Sequence, residues 1–291
     1  MNIPIWKYAI SMTAYFTFLL FMIEYMKKHY KFSAIFWVAS LFTFPIWLIS
    51  GGVTGWFRWA KTFSAILPLA IGGFFRLADQ ENYKGKFWDF MRKDWIVWFI
   101  YVVLFLNIGE ATMKDVVLGY NAADRHIALG NYGNALCGLL LCVTIPFPNG
   151  RKFFKLGAED NSMFIAYTTV AWNFLYTTWN LCFVYGETGK YFASSICILM
   201  AAEIYPIIKR KPELYIAARI YTLSAHVLIR ACLPNLFPAV MNAATWYSGD
   251  VFRIWGIVNG IIIIPYTFWY IWQLHSGKAE KTFIRGKTAA M

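Results

Sequence analysis

Residues 8–31 read YAISMTAYFTFLLFMIEYMKKHYK. The first nineteen of them, 8–26, contain one charge, Glu24, and Lys27, Lys28 and Lys31 follow at once. At about 1.5 Å per residue, a helix of that length matches the ~30 Å hydrocarbon core of a bilayer. A helix is also the form that a lone span must take, because lipid offers backbone N–H and C=O groups no partners. The lysines mark the side on which the span ends.

Runs of the same kind return eight more times, at 34–50, 63–78, 95–113, 131–147, 162–184, 190–208, 214–233 and 250–274. The expected fold class is therefore all-α: a polytopic integral membrane helical bundle with about nine transmembrane helices (eight to nine). The runs at 63–78 and 131–147 are short and interrupted by Pro68, Gly72, Gly73, Gly133 and Gly138, so the charge pattern has to carry them.

Every second gap is basic. After runs one, three, five, seven and nine come Lys27, Lys28 and Lys31; Arg76, Lys84, Lys86, Arg92 and Lys93; Arg151, Lys152 and Lys155; Lys209, Arg210 and Lys211; and Lys278, Lys281, Arg285 and Lys287. Those gaps hold eighteen basic residues, against eight on the other side: Lys7, Arg58, Lys61, Lys114, Arg125, Lys190, Arg230 and Arg253. Positive loops stay cytoplasmic, which predicts the N-terminus outside and the C-terminus inside. Adding or removing one crossing breaks the alternation.

Composition agrees. Hydrophobic residues make up 59% and charged ones 14%, whereas soluble domains carry about 25% charged residues. Aromatic residues reach 20%, as many interfacial belts require. The net charge of +12 does not read as nucleic-acid binding, because the cations flank apolar runs and form no basic aromatic module. They read as cytoplasmic anchors that meet anionic lipid. The five cysteines all fall within or at the end of apolar runs, with no CxxC pair and no zinc spacing, and read as small core residues. The first run lacks a small-residue cleavage site and reads as a retained span. The expected organisation is one transmembrane domain over 1–275 and a short basic cytoplasmic tail over 276–291, in a plasma (inner) membrane.

Two segments resemble one another. FFRLADQEN (Phe74 to Asn82) and FFKLGAEDN (Phe153 to Asn161) share four of nine positions, and Gly109-Glu110 recurs as Gly186-Glu187. A parallel repeat of helical hairpins over 63–112 and 131–189 accounts for both, and repeats are a habit of transporters.

Polar residues at membrane depth are the functional candidates, since a lipid-facing charge costs several kcal/mol. In the sixth run, Thr169, Asn173, Tyr176, Thr177 and Asn180 recur at helical spacing and fall on one face. In the eighth, Arg219, Thr222, His226 and Arg230 do the same. Arg219 and Arg230 lie near opposite ends and can reach water by snorkelling, whereas His226 cannot. In the fourth, Asn107, Glu110 and Lys114 form a stripe. Glu110 either pairs locally with Lys114 or reaches Arg230 or Arg253 across the mouth of the bundle. Glu203 either snorkels or partners Arg219. The GxxxG spacing of Gly256 and Gly260 reads as close helix packing, with Asn259 beside it. The connections 114–130 (with Asp124, Arg125 and His126) and 234–249 are apolar enough to fold over a cavity.

Nucleotide-binding, zinc-protease, serine-hydrolase and dinucleotide fingerprints are all missing, and no cofactor or metal is implied. The expected function is a small-solute transporter or permease with a polar cavity in the outer half of the bundle. That cavity is expected to be lined by Asn173, Tyr176, Asn180, Arg219, His226, Arg230, Glu110 and Arg253, and to take an anionic or zwitterionic solute. The alternatives are an integral membrane enzyme acting on a lipid-linked or hydrophobic substrate, and a scaffold or sensor whose polar residues only pack helices. Oligomeric state is not legible.

Overall fold

The computed structural model describes residues 3–116, 130–148, 153–156, 164–187 and 189–284. In chain order these form α1 (Ile5–Lys28), α2 (Tyr30–Leu41), α3 (Phe44–Ile49), α4 (Gly55–Gln80), α5 (Lys86–Met91), α6 (Trp95–Val116) and α7 (Tyr132–Val143). A hairpin follows, β1 (Phe154–Leu156) and β2 (Phe164–Ala166), and then α8 (Val170–Glu187), α9 (Phe192–Lys209), α10 (Tyr215–Cys232), α11 (Leu236–Met241), α12 (Gly249–His275) and α13 (Ala279–Phe283). The chain is a helical bundle. Among the described residues, five helical segments are long and apolar enough to cross a membrane: Ile5–Lys28, Arg58–Gln80, Trp95–Val116, Gly189–Lys209 and Gly249–His275.

Four expectations change in detail. The third run is not broken. Pro68 and both glycines lie inside α4, which starts eight residues earlier than expected, at Gly55. The second run is divided, since α2 ends at Leu41 and α3 resumes at Phe44. The fifth run is helical over twelve residues only, Tyr132–Val143, about 18 Å of helix. The sixth run begins as strand: Phe164–Ala166 pairs antiparallel with Phe154–Leu156, and α8 starts at Val170. Phe154 and Phe164 stack at 5.8 Å within that hairpin, so a few aromatic residues inside an apolar run made strand look like span.

Of the proposed repeat, Phe74–Gln80 closes α4 as helix, whereas Phe154–Leu156 is strand; residues 157–163 lie outside the described residues. The two Gly-Glu pairs do occupy like places near the ends of α6 and α8, where Lys114 contacts both Glu110 and Glu187 at 3.3 Å.

Contacts sort the helix ends into two groups. At one end Lys61 of α4 meets Glu110 of α6, Lys114 meets Glu187 of α8, and Tyr8 of α1 donates to Asn242 O beyond α11. At the other, Glu24 of α1 takes Lys209 and Tyr205 of α9, Glu81 takes Lys31, and Asn173 of α8 donates to Pro212 O. Arg76 of α4 donates to Lys27 O and Met26 O, which satisfies carbonyls that the end of α1 would otherwise leave open. Lysines 27, 209 and 211 and Arg76 lie at this second end.

Close helix contact is bought with glycine. A Cβ on Gly133 of α7 would meet Gly256 O at 2.5 Å, and one on Gly260 would meet Gly133 O at 2.9 Å, so α7 and α12 meet backbone to backbone. Beside this contact runs a buried amide network. Asn134 Nδ2 donates to Asp115 Oδ2 at 2.8 Å, Asn259 Nδ2 to Asn134 Oδ1 at 2.8 Å, Thr178 Oγ1 to Asn259 Oδ1 at 3.0 Å and Trp255 Nε1 to Thr178 Oγ1 at 2.8 Å. Buried polar groups must be paired, so this network specifies how α6, α7, α8 and α12 align.

Candidate functional site

A cavity lies at the end of the bundle marked by Glu110, between the N-terminal ends of α4 and α9 and the C-terminal ends of α6, α8 and α10. Its atom-free volume is about 1040 Å³, counting space continuous with the outside. From α4 come Arg58, Lys61, Thr62 and Ala65, and from α6 Asn107, Glu110, Ala111 and Lys114. From α8 come Tyr176, Asn180 and Glu187, and from α10 Arg219, His226 and Arg230.

Six of the eight candidate residues therefore meet here: Glu110, Tyr176, Asn180, Arg219, His226 and Arg230. Asn173 and Arg253 do not line it. Asn173 sits in the first turn of α8, with Nδ2 on Pro212 O at 3.1 Å, and Arg253 is exposed on α12. The polar stripe of α8 divides: Tyr176 and Asn180 face the cavity, Thr169 bonds Tyr266 Oη at 3.0 Å, and Thr177 donates to Glu203 Oε2 at 2.8 Å. Glu203 is thus held by Thr177.

The mouth is an ion-pair network. Glu110 Oε2 lies 2.7 Å from Lys61 Nζ and its Oε1 lies 3.3 Å from Lys114 Nζ, which also reaches Glu187. The local pair with Lys114 forms, and the second partner is Lys61, not Arg230 or Arg253. Its charge places Lys61 in an outer loop by sequence; the early start of α4 at Gly55 brings it onto the cavity wall. Arg230 instead lies over the Tyr191 ring, 3.7 Å from its centroid, a cation–π contact.

Deeper in, Arg219 is 6% exposed. Its Nη2 donates to Asn180 Oδ1 at 3.4 Å, while Nε and Nη1 have no hydrogen-bond partner among the described residues. His226 is 2% exposed. Its Nδ1 meets Tyr15 Oη of α1 at 3.2 Å and its ring stacks on Phe237 of α11 at 4.8 Å, while Nε2 has no partner among the described residues. The connection after α10 therefore folds back over this end. The matching stretch 117–129, with Asp124, Arg125 and His126, lies outside the described residues.

Charge balance gives the cavity a sign. Among the described residues, Arg58, Lys61, Lys114, Arg219 and Arg230 line it against Glu110 and Glu187, five cations to two acids. In a low-dielectric wall such an excess attracts anions. Among the described residues no group of three His, Cys, Asp or Glu side chains gathers to hold a metal.

Comparison with protein-family models, with curated proteins and with solved structures finds no match.

Proposed function

We propose that this chain is a nine-span plasma (inner) membrane protein, N-terminus outside and C-terminus cytoplasmic, that binds a small anion in the Arg219 cavity and carries it across the bilayer. The observation that carries the anion reading is Arg219 itself. A guanidinium buried in the bundle with two nitrogens lacking partners among the described residues is costly, and such a group at membrane depth marks a ligand path by default. An anion entering the cavity supplies the missing acceptors, and charge-assisted bonds of this kind are the strong ones.

The topology is supported by the alternation of basic gaps and by the sorting of helix ends, which is what one helix direction per crossing produces. Twelve residues of helix in α7 fall short of a full crossing, and its non-helical flank is tolerated where protein surrounds it. With the basic gaps cytoplasmic, the cavity opens in the outer half.

The test is uptake by proteoliposomes. Labelled monovalent and divalent anions should accumulate with wild-type protein and not with Arg219→Gln that is folded and inserted. Equal uptake by the two proteins, or release of a chemically altered product, contradicts the transport reading; the second outcome favours an integral membrane enzyme.

A further inference from the structure

A second space, about 520 Å³ of atom-free volume counting space continuous with the outside, lies beside the polar cavity between α4, α6, α8 and α10. Both spaces are lined by Ala65, Asn107, Tyr176, Arg219 and Leu223, so they adjoin at Arg219. Their chemistries differ. The second branch presents Pro68, Ile100, Leu104, Ile216 and Ile220. Apart from Tyr176 and Arg219, which both spaces share, its polar side chains are already engaged: Ser64 donates to Lys61 O, Asn107 to Val103 O, Trp172 to Thr144 Oγ1, and Tyr215 bonds Thr177. Arg219 lines both spaces, and two of its guanidinium nitrogens are buried without a hydrogen-bond partner among the described residues.

A small hydrophilic anion uses only half of this shape. Water is a poor tenant of the other half, because a buried water needs two to four polar partners. An apolar body fits it, and ligand sites are in general apolar pockets with few polar groups that fix orientation.

We propose that the site takes a single-chain amphiphilic anion, a medium- or long-chain carboxylate, with its head on Arg219 and Asn180 and its hydrocarbon chain in the branch between α4, α6 and α10. This rests on the anion reading above and names the class of anion.

The experiment measures binding of acetate, butanoate, hexanoate and octanoate to purified protein in non-ionic detergent, by the shift in unfolding temperature. Octanol serves as the headless control and phosphatidic acid as the two-chain lipid competitor. Affinity should rise about threefold to fourfold for each methylene buried. Val103→Trp, which fills the apolar branch, should flatten the series while sparing butanoate; Val103→Phe serves if the larger ring prevents folding. Arg219→Gln should weaken every carboxylate, and phosphatidic acid should not displace octanoate. A series that is flat in the wild type overturns the amphiphile and leaves the anion reading standing. A rise that Val103→Trp does not alter is partition into detergent and also overturns it, as does octanol binding as well as octanoate. Displacement by phosphatidic acid replaces the single chain with a lipid. Failure of every anion, acetate included, overturns both readings.

Discussion

Arg219 of α10 reaches Asn180 of α8 across the cavity at 3.4 Å and leaves two guanidinium nitrogens without partners among the described residues. A site built only for stability would not be arranged in this way. Removing an uncompensated buried charge in favour of an apolar side chain is neutral to stabilising, and function commonly sets the opposite preference. Arg219→Met should therefore raise the unfolding temperature of the empty protein while abolishing anion binding. Thermal unfolding with and without anion reads both. A loss of more than about 2 kcal/mol in the empty protein would instead make Arg219 structural.

Glu110 holds two lysines at the mouth, Lys61 at 2.7 Å and Lys114 at 3.3 Å. Part-exposed pairs contribute little, about 0–1 kcal/mol. Glu110→Gln should change stability by no more than that. It should also tighten anion binding, because the cavity gains one net positive charge, and the gain should shrink as salt is raised. Weaker binding in Glu110→Gln would show that the carboxylate acts in some other way.

Gly256 and Gly109 make a matched pair of tests. A Cβ on Gly256 would fall 1.7 Å from Asn131 Oδ1, whereas one on Gly109 meets nothing within 4 Å among the described residues. Asn131 caps α7 by accepting from Asn134 N and is itself tied to Phe252 O, so it cannot simply move aside. Gly256→Ala should destabilise by about 1–3 kcal/mol. Gly109→Ala, within α6, should be neutral or stabilising by about 0.5–1 kcal/mol. Equal effects in equilibrium unfolding would refute the close contact of α7 and α12.

Glu81, just past the end of α4, is bonded by Lys31 and Tyr30, which hold its carboxyl below the ordinary carboxylate value. A depressed folded-state pKa contributes stability above the ordinary value, about 4.3 for Glu, and that contribution is lost as pH falls through the folded value. Wild type should exceed Glu81→Gln in unfolding temperature at pH 7, and the gap should narrow below about pH 4. A gap constant across that range would remove the ion pair from the account.

Much of the bundle is legible in the order of residues. The ends of α1, α6, α9, α10 and α12 follow the apolar runs to within a few positions, because a long run bounded by charge has one way to sit in lipid. The cavity is legible too, since Arg219, His226 and Arg230 share a helix face that lipid cannot accept. The misses have physical causes. Arg58 and Lys61 looked like loop because they are charged, yet they belong to the first turns of α4 and face the cavity, out of lipid. Asn173 shares a stripe with Asn180, but about two turns of helix separate them, and its end of α8 meets Pro212. The network through Asp115, Asn134 and Asn259 joins residues far apart in the chain. Its one visible sign was Asn259 beside the Gly256–Gly260 spacing.

The most direct test of the central claim is the unfolding temperature of the detergent-purified protein, titrated with a panel of carboxylates, phosphate and chloride. A ligand confined to the folded state stabilises by about 2.7 kcal/mol at a hundred times its dissociation constant. A saturable rise is expected for at least one anion, abolished by Arg219→Gln, with neutral and cationic analogues giving none. Saturable stabilisation that survives in Arg219→Gln, or a healthy protein that no anion stabilises, would contradict it.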